Sequence, residues 1–193
     1  MYPLLFIDTE TTGLASTSTV IEIAMIRREE DGAETRFHML IKPTEQELAD
    51  AHPKALEKNG YSADPSRWGD APSMSEAGPQ IVAFAEGAKT LVGHNVAFDE
   101  RMIMASFDRH GVEGRIPHHK IDTITLTYEH LTPLGLKRAS LDTVRGFLGW
   151  SMEDAHTAMK DAGDCKKLFD LLWQMTPEQQ TYLAGLLAGE REG

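Results

Sequence analysis

Short apolar blocks at the beginning of the chain have the spacing of β-strands. Residues 3–8 are apolar up to their final acid and the run breaks at Gly13, which predicts a buried central strand. Two further blocks, residues 20–29 and 34–41, flank Asp31-Gly32, a dipeptide typical of hairpin turns. The chain is therefore predicted to open with three consecutive strands.

From Thr44 onward the spacing becomes helical, with an interruption at Pro53 and a long loop over residues 60–72 of the kind that often forms a lid or binding surface. Ser140 is an expected helix N-cap, and Pro177 opens a terminal helix at its first position. The pattern predicts helices over 74–86, 97–109, 123–130, 141–147 and 157–173, with short strands at 90–93 and near 120–123. Three antiparallel strands followed by strands that alternate with helices predict an α/β fold, a mixed five-stranded sheet flanked by helices.

Length and composition indicate one globular domain. The chain has 193 residues, of which 41% are hydrophobic and 25% charged, so we expect a single domain over 1–193 with a core of about 3–175 and a C-terminal helix of about 177–190. The lone Cys165 excludes an internal disulfide. The apolar run at residues 4–7 is too short for a signal peptide and lacks a basic leader, so we expect a cytoplasmic protein with no membrane contact.

The charge balance is acidic. Thirty acidic and nineteen basic residues give a formal charge of −11, the wrong sign for gripping a long nucleic acid through its phosphates. Acidic residues gathered around divalent cations, however, can present a locally positive site to a phosphate. Charge alone therefore leaves nucleic-acid binding open.

Two acids stand at the end of the first predicted strand. Asp8 and Glu10 are two residues apart, so a strand would place both side chains on one face. The alternative is that the strand has already ended and both are solvated loop acids. Asp99 follows a short strand and opens a helix, where an acid is also favoured by the helix dipole.

Asp161 interrupts the apolar stripe of the last long helix. The stripe consists of Ala158, Cys165, Leu168 and Leu172. A buried unpaired carboxylate is costly, so it must be protonated, ion-paired or bound to a metal. No lysine or arginine lies on the same stripe within a turn, which favours a metal, with a buried salt bridge as the alternative.

His156 precedes Asp161 by five residues. Five residues of α-helix do not return to the same face, so the histidine must lie in the preceding loop if the two act together. Gathered acids with one histidine suit a metal-dependent hydrolase, because they supply oxygen ligands for Mg²⁺ or Mn²⁺ and a base that titrates near neutral pH.

Three segments, in this order, resemble the motifs of the DnaQ-like, DEDDh-type 3′→5′ exonucleases. They are residues 6–14 (FIDTETTGL), 92–99 (VGHNVAFD) and 156–161 (HTAMKD). The resemblance covers residues 4 to about 172 and implies the ribonuclease H-like fold.

The resemblance also implies site residues and chemistry. The four metal-site acids would be Asp8, Glu10, Asp99 and Asp161, with Asp99 acting through water, and His156 would be the general base. Two Mg²⁺ or Mn²⁺ ions would support hydrolysis of the terminal phosphodiester, which releases 5′-mononucleotides from a single-stranded 3′ end, with DNA as the expected substrate. The residues expected to contact substrate are Thr11, Leu14, Asn95 and Phe98.

Two alternatives stay open at this stage. An exoribonuclease or oligoribonuclease of the same family would use the same site, since the distinction rests on contacts to the 2′-hydroxyl. A non-catalytic nucleic-acid or protein-binding module that kept the fold is disfavoured, because all five site residues are present.

Partners are harder to predict from the sequence. Replicative proofreading members of the family bind a polymerase through an extension, whereas about twenty residues follow Trp173, so polymerase tethering is not expected. The oligomeric state is left open. Tyr61 and Trp68, in the loop over residues 59–72, are candidates for stacking on nucleobases.

Overall fold

The computed structural model describes residues 2–189 and contains a mixed five-stranded sheet. The strands are β1 (Leu4–Thr11), β2 (Val20–Arg28), β3 (Glu34–Leu40), β4 (Thr90–Gly93) and β5 (His119–Asp122). Their order across the sheet is β3-β2-β1-β4-β5, with β1 antiparallel to β2 and parallel to β4. The predicted fold class is confirmed, and β1 is the central strand.

Helices flank the sheet. They are α1 (Glu45–Ala49), α2 (Pro53–Lys58), α3 (Met74–Ala85), α4 (Val96–His110), α5 (Thr123–His130), α6 (Leu141–Phe147), α7 (Ala158–Leu172) and α8 (Pro177–Gly189). Short 3-10 helices occupy Pro65–Trp68 and Thr132–Leu134. No helix within residues 2–189 is long and apolar enough to cross a membrane.

Most of the predicted helix signals act as expected. Ser140 caps α6 by accepting a hydrogen bond from the Thr143 backbone N–H, and Pro177 begins α8. Pro53 does not merely interrupt a helix, as predicted, but begins α2, since a proline at the first position has no intrahelical hydrogen bond to lose. Residue 190, the predicted end of the terminal helix, lies outside the described residues.

Alternation of side chains along β1 separates two hydrophobic cores. Leu5 and Ile7 belong to the core formed with α3 and α4. Leu4 and Phe6 belong to the opposite core, where the Phe6 ring lies edge-on to Phe169 of α7 at 5.4 Å between centroids. The next residues on this second face are Asp8 and Glu10, so the packing that buries β1 also directs these acids towards α7.

The aromatic residues of the long loop fold back onto the domain. Trp68 is 1% exposed and its Nε1–H donates to the Ile21 carbonyl at 2.7 Å. The ring of Tyr61 packs on it, with centroids 4.9 Å apart. The prediction that Trp68 stacks on nucleobases is therefore wrong, because burial of the large indole in the domain leaves no face for a base.

Replacing Trp68 tests this structural role. We expect Trp68→Phe to lower the free energy of unfolding by about 1–3 kcal/mol, since it removes one of the two hydrogen bonds to the buried Ile21 carbonyl, which keeps only that from the Ile41 N–H, and reduces the packed area. Denaturant titration measures this. Tyr61→Phe is the matched control, with an expected change within about 0.5 kcal/mol. Equal effects of the two substitutions would contradict the assigned role of Trp68.

Candidate active site

Three carboxylates meet where β1 ends. Asp8, Glu10 and Asp161 each offer one oxygen, and these oxygens lie within 4.8 Å of one another. Asp8 and Glu10 belong to β1, which runs on to Thr11, so they are strand residues and not solvated loop acids. Asp161 lies in the first turn of α7. The apolar stripe of α7 packs on β1 and thereby brings the third acid to the first two.

Burial and mutual repulsion disfavour the charged form of these acids. Burial raises the pKa of Asp8 well above its usual range, and the neighbouring carboxylates of Asp99 and Asp161 add to the rise. Burial is the largest cause that raises the pKa of Glu10 to about 8, and the negative charges of Asp161 and Glu22 add to the rise. A divalent cation would relieve this repulsion, and carboxylate oxygens are the ligands that Mg²⁺ and Mn²⁺ prefer. The residues therefore fit the divalent metal that the resemblance implies.

Asp99 lies beside this cluster. It is buried in the first turn of α4, and the Thr9 hydroxyl donates to its Oδ1 at 2.8 Å. Burial raises the pKa of Asp99 to about 7, against the opposing effect of the Thr9 hydrogen bond. Asp99 is not one of the three acids whose oxygens lie within 4.8 Å of one another. Its role as a ligand through water stays a prediction.

His156 lies in the turn before α7, where the sequence requires it to be if it acts with Asp161. Its backbone is left-handed, with φ of 69°, a conformation uncommon for residues other than glycine. Its backbone N–H donates to Asp161 Oδ1 at 3.2 Å, and the Nε2 of its ring lies 3.5 Å from Asp142 Oδ2. The histidine and the aspartate are thus held together across the start of the helix.

Asp161 has an ion-pair partner that the sequence analysis missed. Arg145 of α6 is fully buried, and its Nη2 donates to Asp161 Oδ1 at 2.6 Å. The stripe of α7 indeed carries no nearby basic residue, but the partner comes from the neighbouring helix. The metal and the salt bridge, which were treated as alternatives, are both compatible with this geometry.

Glu22 is a further buried acid near the cluster, and it was not among the predicted site residues. It pairs with Glu10 in the β1–β2 register and is 1% exposed. Its Oε1 accepts from the Ala158 N–H at 3.2 Å and lies 2.8 Å from His38 Nε2, while its Oε2 has no hydrogen-bond partner among the described residues. An acid in an otherwise apolar buried strand is the signal that would have identified it.

The predicted substrate contacts divide into two groups. Thr11, Leu14 and Phe98 line a cavity of about 190 Å³ together with Glu10. Leu14 is 79% exposed and also borders a cavity of about 620 Å³ beside α2. Asn95 is exposed at the N-cap of α4, and it does not line the smaller cavity. The structure therefore brings the first three residues together and leaves Asn95 apart.

The raised pKa of Glu10 predicts that the metal-free protein loses stability as pH rises. Because the folded-state pKa of about 8 lies above the ordinary value of 4.5, the folded protein holds this proton more tightly than the unfolded chain. The melting temperature in EDTA should therefore fall as pH rises from about 4.5 to about 8. Glu10→Gln should raise the melting temperature at pH 8 by roughly 2–6 °C in thermal scans.

The matched control for this substitution is Glu30→Gln, at an exposed turn. Its melting temperature should stay within about 1 °C of the wild type, as for most surface substitutions. A wild-type melting temperature that rises over this pH interval, or a Glu10→Gln variant no more stable than the control, would contradict the electrostatic account.

Comparisons with known proteins give a family match and similar folds. The family model RNase_T, described as "Exonuclease", matches residues 5–169. Among solved structures, the zinc-bound complex of E. coli ExoI with single-stranded DNA has a similar fold, with a TM-score of 0.74, 20% identity, and coverage of 94% of this chain and 42% of that chain. E. coli exonuclease I in complex with a dT13 oligonucleotide also has a similar fold, with a TM-score of 0.75 and 19% identity. The match covers 94% of this chain and 43% of that chain.

The chain spans less than half the length of these structures. At this level of identity the likeness concerns the fold. A search of the curated proteins finds no match. The family model covers most of the chain, and it confirms the resemblance drawn from the three motifs. The chain belongs to the RNase_T exonuclease family.

Proposed function

We propose that this chain is a divalent-metal-dependent exonuclease that removes 5′-mononucleotides from the 3′ end of single-stranded DNA. The observation that carries the proposal is the cluster of Asp8, Glu10 and Asp161, with carboxylate oxygens within 4.8 Å of one another and the backbone N–H of His156 hydrogen-bonded to Asp161. Family membership supports the nuclease chemistry. Solved structures with a similar fold include complexes of E. coli exonuclease I with single-stranded DNA and with a dT13 oligonucleotide, which support the choice of substrate.

The site residues have distinct roles in this reaction. Two Mg²⁺ or Mn²⁺ ions held by Asp8, Glu10 and Asp161, with Asp99 acting through water, would neutralise the phosphate and make a bound water more acidic. His156 accepts the proton of the water that attacks the terminal phosphorus. The bond between that phosphorus and the 3′ oxygen of the preceding nucleotide breaks, and this oxygen takes up a proton as the mononucleotide leaves.

The surface beside the acidic cluster suits the 3′ end of a nucleic-acid strand. The cavity bordered by Glu10, Leu14 and Phe98 would take the terminal nucleoside, and the larger cavity on the other side of Leu14 would take its neighbour. Lys54 and Lys58 of α2 border these cavities and would place positive charge beside the phosphates. A nucleic-acid strand that lies along α2 would therefore contact basic residues, although the whole protein carries a formal charge of −11.

A cleavage assay tests the proposed reaction. With 5′-labelled single-stranded DNA and Mg²⁺ or Mn²⁺, we expect a ladder that shortens from the 3′ end and disappears in EDTA. Asp8→Asn and His156→Ala should each lower the rate about 10²–10⁴-fold, because they remove a metal ligand and the general base. Faster cleavage of RNA of the same sequence would instead identify an exoribonuclease.

His118→Ala is the matched control, since this histidine is exposed and outside the proposed site. It should cleave at the wild-type rate. Wild-type rates in Asp8→Asn or His156→Ala, or cleavage that persists in EDTA, would contradict the proposed mechanism.

Leu14 allows a separate test of the substrate surface. Its side chain is 79% exposed and would become buried against nucleotides, so we expect Leu14→Ala to raise KM by about 5–30-fold with little change in stability. Leu186→Ala, at an exposed position of α8, is the matched control and should leave KM unchanged. An unchanged KM in Leu14→Ala would exclude Leu14 as a substrate contact.

A further inference from the structure

Arg145 carries its charge inside the protein. Its side chain is 0% exposed, and its guanidinium contacts three carboxylates. The Nη1 lies 2.9 Å from Asp142, the Nη2 lies 2.6 Å from Asp161, and the Nε lies 2.7 Å from Asp164. Each contact uses a different nitrogen, so all three nitrogens of the planar guanidinium fork are engaged. A lysine has a single ammonium group and cannot reproduce this arrangement.

The contact with Asp161 leaves one of the two carboxylate oxygens without a hydrogen-bond donor. The Nη2 of Arg145 and the N–H of His156 both donate to Oδ1. No hydrogen bond recorded for residues 2–189 ends on Oδ2, which is left for a metal. Two donors on one oxygen fix the rotation of the carboxylate. Outer partners of this kind orient metal ligands, and their loss typically weakens metal affinity or activity about 10–100-fold.

The contact with Asp142 links Arg145 to the ring of His156 as well. Arg145 Nη1 donates to Asp142 Oδ1, and Asp142 Oδ2 lies 3.5 Å from His156 Nε2. One guanidinium therefore holds both the metal-ligating aspartate and the carboxylate against which the histidine ring lies.

We propose that Arg145 is a positioning residue of the exonuclease site, which fixes Asp161 for the metal and, through Asp142, the ring of His156. The proposal rests on the proposed function, because that function gives Asp161 and His156 their roles. The competing explanation is structural: Arg145 would only tie α6 to α7 through Asp164. The two explanations predict different metal affinities for a variant in which α6 and α7 still pack on each other but Arg145 is absent.

The double variant Arg145→Met with Asp164→Leu supplies such a protein. It replaces the buried ion pair between α6 and α7 with apolar contact, an exchange that buried ion pairs often tolerate without loss of stability. Circular dichroism and a melting curve verify folding. Mn²⁺ affinity is then measured by calorimetry without nucleic acid, followed by kcat and KM on a single-stranded oligonucleotide.

We expect the Kd for Mn²⁺ to rise and kcat to fall, each by about 10–100-fold, while KM for the oligonucleotide changes by less than about threefold. The matched control is Lys160→Met. Lys160 pairs with Asp164 at 2.7 Å and belongs to the same network of charges, but it is not paired with Asp161. Its Mn²⁺ affinity should stay within about twofold of the wild type.

A folded double variant with wild-type Mn²⁺ affinity and kcat would overturn the proposal and leave Arg145 a purely structural role. If the double variant does not fold, Arg145→Lys decides. This variant keeps the charge but not the fork, so the same loss is expected, and wild-type affinity would equally overturn the proposal. Because metal binding is measured without substrate, a wild-type protein that binds Mn²⁺ but cleaves nothing contradicts the proposed function alone.

Discussion

Repulsion between buried carboxylates is the constraint on which this structure depends. Asp8, Glu10 and Asp161 share a half-buried position at the end of the central strand, with Asp99 and Glu22 close by. Such a group is unfavourable in an apolar interior unless opposite charge or hydrogen-bond donors surround it. The neighbouring elements are arranged in ways that reduce this cost.

Each of these elements stabilises the buried carboxylates in a different way. Asp99 and Asp161 lie in the first turns of α4 and α7, where the helix dipole favours negative charge. Thr9 donates to Asp99, and Arg145 donates to Asp161. The raised pKa of Glu10 follows from its burial and from the charges of Asp161 and Glu22, which these donors do not fully offset. The protein therefore gives up stability at the place where its chemistry needs a concentrated negative charge.

The sequence predicted the fold and singled out the acids because their signals are local, whereas the assignment of these acids to one metal site came from the resemblance of the three motifs. A continuous apolar block identifies β1, Asp31-Gly32 marks the first hairpin, and Asp161 stands out within the stripe of one helix. Arg145 could not be found in this way, because its pairing with Asp161 depends on how α6 packs on α7. The burial of Trp68 likewise depends on the path of a long loop, for which periodicity carries no information.

The position of α7 in the chain has a consequence for biosynthesis. Asp8 and Glu10 leave the ribosome first, but the cluster is incomplete until α7, with Asp161, has emerged and docked on β1. Protein synthesis proceeds from the N-terminus, so a nascent chain that still lacks this helix has only two of the three clustered acids. A product that ends before α7 would therefore lack the complete acid cluster, and the three carboxylates come together only when almost the whole domain has folded.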